Sequence, residues 1–160
     1  MKFTTETLAQ SLADYLAPYF PGVNFYADPN QQGTKLPCLF LQNRGGETKL
    51  RQAGRWLRII RLDLVYLLEY NLPDLHSQYT AAAETLDEIM ELFPYVCEEQ
   101  STLLRTYNRT YKIEADALHY KFDLQVWVVK PTLEAAMQEL TTNLEVIEYG
   151  EKNGKKHGEK

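Results

Sequence analysis

Residues 60–70 alternate strictly. Ile60, Leu62, Leu64, Tyr66, Leu68 and Tyr70 fall on one side of an extended chain, and Arg61, Asp63, Val65, Leu67 and Glu69 on the other. A period of two marks a strand that turns one face to a core. The run starts upstream, as RWLRIIRLDLVYLLEY over residues 55–70, and is the longest β-like segment of the chain. Its second face is mixed, with charge at both ends around Val65 and Leu67. Such a strand suits a helix layer on one side and a neighbouring subunit on the other. Arg55, Arg58 and Arg61 interrupt the pattern, so the first residues of the run are expected to leave the sheet or sit at its edge.

Before this run, Thr4 or Thr5 is placed to cap a helix carrying Leu8, Leu12, Tyr15, Leu16 and Tyr19, and Pro21-Gly22 ends it. Residues 23–28 read as a short strand, 29–33 as a turn, and 38–42 as a second strand entered through Pro37. Residues 43–54, NRGGETKLRQAG, carry little apolar content and read as a long, mobile hairpin loop. Loops of this length inside compact domains are uncommon and often functional. From Arg44 to Arg61, Arg44, Lys49, Arg51, Arg55, Arg58 and Arg61 stand against a single Glu47, in a chain of net charge -5. That local excess suggests an acidic partner surface; a solvated loop without a partner is the plainer alternative.

After the run, residues 71–74 begin a helix whose apolar stripe is Leu75, Tyr79, Ala82, Leu86, Ile89 and Phe93, stopped by Pro94. Asp74, Glu84, Asp87, Glu88 and Glu91 lie mostly off the stripe and read as a solvated face. Residues 103–114 and 118–129 form a strand pair around a turn at 115–117. In the second of them Leu118, Tyr120, Phe122, Leu124, Val126 and Val128 alternate with His119, Lys121, Asp123, Gln125 and Trp127. Pro131 and Thr132 open a short helix with Leu133, Ala136, Met137 and Leu140, residues 143–149 are compatible with an edge strand, and 150–160 hold no apolar residue and read as a disordered tail. The expected fold is α+β, a mostly antiparallel sheet with helices packed on one face, in one domain over residues 1–149.

The chain has 160 residues, 44% of them hydrophobic and 12% aromatic, enough for one core. The negative balance argues against a dedicated nucleic-acid binder, which needs clustered Lys and Arg. Neither an apolar leader nor a bilayer-length apolar run is present, and a soluble cytoplasmic protein is expected. Cys38 and Cys97 form no CxxC and are expected as free thiols in or near the core. His76, His119 and His157 are scattered, and no HExxH, GxSxG, Walker A or GxGxxG motif occurs. We therefore expect no metal, no cofactor and no enzymatic activity. Among 11 tyrosines, Tyr66, Tyr70, Tyr107, Tyr111 and Tyr120 join Trp127 on predicted strands. Trp127 lies on a polar strand face and is the best single candidate for a contact surface, against the alternative of ordinary sheet packing.

Three segments carry a resemblance: TTETLAQSLADYLAPYFPGVNFY near the start, RIIRLDLVYLLEYNLPDLHSQYTAAAETLDEIMELF in the middle, and the late YKFDLQVWVVKP. Together they make the chain similar to the tail terminators of phages, prophages and phage-tail-like particles of Gram-positive bacteria. The resemblance implies an α+β subunit of a hexameric ring on the head-proximal end of the tail tube. There the ring would stop tube polymerisation and offer a surface for head attachment, meeting the last sheath ring in contractile tails. DNA would pass through the lumen without specific binding, no membrane is involved, and the protein would move from bacterial cytoplasm to the neck end of the virion tail. On this reading Arg44, Lys49, Arg51 and Arg55 face the acidic end of the tube, and Trp127, Lys121 and His119 belong to the subunit interface. A head–tail joining protein is the nearest alternative, and a small-ligand-binding module a more distant one.

Overall fold

The computed structural model describes residues 3–27 and 33–128. The expected helix after Pro131, the edge strand at 143–149, the tail at 150–160 and most of the turn at 29–33 lie outside the described residues.

Helix α1 (Thr5–Leu16) starts at Thr4, whose hydroxyl accepts from the Thr7 N–H, and it buries Leu8, Leu12 and Leu16. It ends at Leu16, earlier than Pro21-Gly22 suggests, because the Tyr19 and Phe20 amides both turn back onto the Leu16 carbonyl. Strands β1 (Asn24–Tyr26) and β2 (Cys38–Leu50) pair in parallel. Strand β3 (Trp56–Leu67) follows, then helix α2 (Leu75–Ile89) and strands β4 (Leu92–Cys97), β5 (Gln100–Glu114) and β6 (Ala117–Val128). Among the described residues one six-stranded sheet results, in the order β1-β2-β3-β6-β5-β4, antiparallel except at its first pair.

The alternation from Ile60 works as expected. Ile60, Leu62, Leu64 and Tyr66 join Tyr120, Phe122 and Leu124 of β6 and the buried faces of both helices in one core. Both helices pack on this face. Four expectations are corrected. Arg55 stands outside the strand, but residues 56–61 neither leave the sheet nor edge it: Trp56–Tyr66 is flanked by both β2 and β6, and Arg58 sits between Thr48 and Val126. At its far end the strand stops at Leu67, and Tyr70 is 81% exposed. Residues 43–50 are not loop but strand, as described below. The second helix ends at Ile89, and Phe93 and Pro94 belong to β4. Phe93 fits a helical stripe and a strand equally well; Tyr95, two residues on and also fully buried, resolves the period as two.

Hydroxyls fasten the helices to the sheet. The Tyr79 hydroxyl donates to the Asp116 carbonyl (2.6 Å) and accepts from the Leu68 N–H (2.9 Å), tying α2 to the end of β3 and to the β5–β6 turn. That turn is a tight one, with Ala115 and Asp116 both at positive φ. Tyr120 donates to the Asp87 carboxylate of α2 (2.7 Å), and Tyr15 of α1 donates to the Ile89 carbonyl at the end of α2 (2.7 Å). Ser11 of α1 accepts from the Val96 N–H (3.0 Å), so α1 supplies a polar partner to β4, the last strand of the sheet.

Replacing Tyr79 with Phe removes the partner of a buried amide and should destabilise the fold by about 1–3 kcal/mol in urea unfolding. A near-neutral result would show that the two bonds contribute little. Burial pushes the hydroxyls of Tyr66, Tyr79 and Tyr120 above the ordinary 10.0, with Asp87 adding to the effect on Tyr120. The unfolded chain loses these protons near pH 10 and the folded chain resists, so stability should be intact below pH 10 and fall above it. The loss should be shallower in Tyr120→Phe, measured as Tm against pH.

Candidate interaction surface

The segment read from sequence as a loop is the arm that carries the basic residues. It becomes strand because a bulge absorbs its irregularity. The register with β3 slips between Asn43 and Gly45, leaving Arg44 as the extra residue. Gly45 stands at φ +113, a conformation open to glycine, and its N–H is held by the Asn43 side chain at 2.8 Å. Gly46 is required for a different reason: a Cβ there would lie 2.5 Å from the Ile59 carbonyl oxygen. Beyond the bulge, pairing resumes to Leu50 opposite Trp56. The arm is closed by the Arg51 N–H donating to the Arg55 carbonyl at 2.7 Å, with Ala53 and Gly54 at positive φ.

Strand parity sorts the arm's side chains. Lys49, Leu57 and Trp127 share one row across β2, β3 and β6, on the face turned away from the two helices. Glu47 and Arg61 lie on the same face. The Glu47 carboxylate takes Lys49 at 3.2 Å and Arg61 at 2.9 Å, and the bond from Lys49 foremost lowers its pKa. Two of the six cations are thus spent within the arm. Arg44, Arg51, Arg55 and Arg58 are exposed and make no ion pair among the described residues.

At the tip, Arg51, Gln52, Ala53, Arg55 and Trp127 enclose an open cleft of about 490 Å³. Trp127 is 57% exposed. Two guanidiniums beside an indole suit a carboxylate carried next to a small or apolar side chain. The cleft unites residues that the sequence reading assigned to two different interfaces. Arg44, by contrast, stands seven residues back along the arm from Arg51, about 20 Å at strand spacing.

His119 and Lys121 share Trp127's face but not its position. Lys121 is six residues from Trp127 along β6, again about 20 Å. His119 is not a plain surface residue. Its Nδ1 meets Asp63 Oδ2 at 2.8 Å, and Asp63 is 4% exposed. The other carboxylate oxygen, Asp63 Oδ1, is buried without a hydrogen-bond partner among the described residues. Lys121 is Asp63's neighbour in the register. Nothing in the sequence marks Asp63 as buried, since it sits among charges on the polar parity of its strand. Cys38 is a buried free thiol, its pKa raised by burial, and Cys97 is half-buried.

A second open cleft, of about 540 Å³, lies between α1 and β1 and is lined by Glu6, Thr7, Ala9, Gln10, Ala13, Phe25 and Ala27. Among the described residues no group of three or more His, Cys, Asp or Glu is placed to hold a metal ion. No helix of the described residues is long and apolar enough to cross a membrane.

Truncating His119 to Ala should strand the Asp63 carboxylate and cost about 1–3 kcal/mol in denaturant unfolding, whereas Lys121→Ala should change stability by under about 0.5 kcal/mol. Equal effects would mean that the His119–Asp63 bond is not a structural contact.

A search of the curated proteins finds no match to the chain. A family model described as "Phage tail terminator protein" matches residues 7–136, from the first turn of α1 past the end of β6. That span contains the whole sheet, α2, the basic arm and Trp127, and the chain belongs to the phage tail terminator protein family.

Proposed function

We propose that the protein is a structural tail terminator whose copies close into a hexameric ring on the head-proximal end of the tail tube. The ring stops tube polymerisation and presents the surface to which the head, through its connector, is joined. In a contractile tail it also meets the last sheath ring. The protein works by contact alone, without catalysis or cofactor. The family match over residues 7–136 carries this reading. The chain's net charge of -5 fits a lumen through which DNA passes without being held, because like charge repels phosphate.

The cleft geometry redistributes the contact residues named from sequence. Arg44 stays with the acidic end of the tube, and so does Lys49, whose ammonium would exchange its Glu47 partner for one on the tube. Arg51 and Arg55 share their cleft with Trp127, and one cleft takes one occupant. We therefore group these three with the subunit contact, alongside Lys121 and His119 on the same face.

The direct test is polymerisation of the cognate tube subunit with and without the purified chain. Substoichiometric chain should shorten the tubes and leave a ring at one end in negative-stain images. Tubes of unchanged length with bare ends would contradict the proposal.

A further inference from the structure

We propose that the Trp127–Arg51–Arg55 cleft of one copy receives the exposed ridge of helix α2 of the next copy. This rests on the ring reading above and names the two surfaces that would close the ring. The ridge runs through Ser77, Ala81, Glu84 and Glu88, four exposed positions at helical spacing on one side of α2.

Both surfaces are present in this chain, and their chemistry is complementary. Arg51 and Arg55 have no acidic partner among the described residues. On α2 and just past its end the acids divide into two sets. Asp87 is taken by the Tyr120 hydroxyl and Glu91 by Arg105 (2.6 Å). Glu84 and Glu88 remain without an ion pair among the described residues, one turn apart and so about 5–6 Å between their Cβ atoms. Two free carboxylates one helical turn apart match two guanidiniums in the lining of one cleft. Next to them the ridge narrows to Ala81 and Ser77, whose small side chains leave room for the exposed indole to lie against the helix.

The placement of the surfaces sets the symmetry. The cleft lies at the tip of the β2–β3 arm with Trp127 on the face opposite the helices; the ridge lies on the outer side of the helix layer. A two-fold pairing of clefts would set arginine against arginine. Made once per contact, cleft to ridge is a head-to-tail joint, which leaves a free cleft and a free ridge at each step and forms a ring where the rotation closes.

The test is sedimentation velocity of the full chain over a range of concentrations, with four variants. The wild type should assemble, more weakly at high salt because exposed charges are screened. Arg51→Glu/Arg55→Glu and Glu84→Arg/Glu88→Arg should each weaken assembly at least tenfold, and Trp127→Ala should weaken it as well. Combining both reversals in one chain restores opposite charge across the contact and should bring assembly back. Circular dichroism melting curves taken at a concentration where the wild type is monomeric should match it throughout, since all five side chains are exposed. The proposal is overturned if the wild type stays monomeric at every concentration, if either reversal assembles normally, or if the combined variant fails while remaining folded. Assembly lost and regained in this way would stand even if the chain did not cap tubes, so the contact and the terminator reading fail separately.

Discussion

Strand β3 is held on both sides. β2 and β6 both pair with it from Trp56 to Tyr66, and Leu62 and Leu64 at its middle are fully buried against the helices. Every contact surface described above is referred to this strand. The basic arm is its extension past the helix layer, Trp127 is its neighbour through Leu57, and the Asp63–His119 pair crosses from it to β6. A two-stranded hairpin projecting alone is marginally stable in water. Here β6 runs alongside as far as Val128, opposite Trp56, and makes the arm three strands wide close to its tip. Arg51 and Arg55 are therefore presented from a paired base and not from a free loop.

Helix α2 is fixed to the same frame by directed bonds. Tyr79 reaches the end of β3 and the β5–β6 turn, Tyr120 reaches Asp87, and the Thr106 hydroxyl donates to the Met90 carbonyl. Ala82, Ala83 and Leu86 bury the other side of the helix. These contacts set the rotation of α2 about its axis, and hence which residues face outward. Asp87 is turned to the sheet while Glu84 and Glu88 are left to solvent, although all three look alike in the sequence.

The fold class was legible because the chain states its periods clearly. The two alternating runs became β3 and β6, the helical stripe from Leu75 became α2, and the layer order followed. The arm was misread because its cue was composition. Asn43, two glycines and several charges suggest a loop, yet one bulge with Gly45 at positive φ and Gly46 in close approach to Ile59 keeps the chain in register. β4 was missed because Phe93 satisfied the helical stripe and Pro94 suggested an end; proline is tolerated in the last strand of a sheet, where a lost N–H need not break a ladder. The cations and the tryptophan could be picked out of the sequence one by one. Their grouping was not legible, because it depends on which residue of β6 lies opposite which residue of β3, and register is a property of the folded sheet.

Termination of tube growth is the account's central claim, and tail length in particles lacking this gene tests it most directly. Electron microscopy of tails from a producer strain without the gene should find tubes that are overlong or irregular and never joined to heads, with normal length restored by the wild-type chain. Tails of normal length in the absence of the protein would contradict the claim, and a failure of head joining at normal length would move the protein to the neck instead.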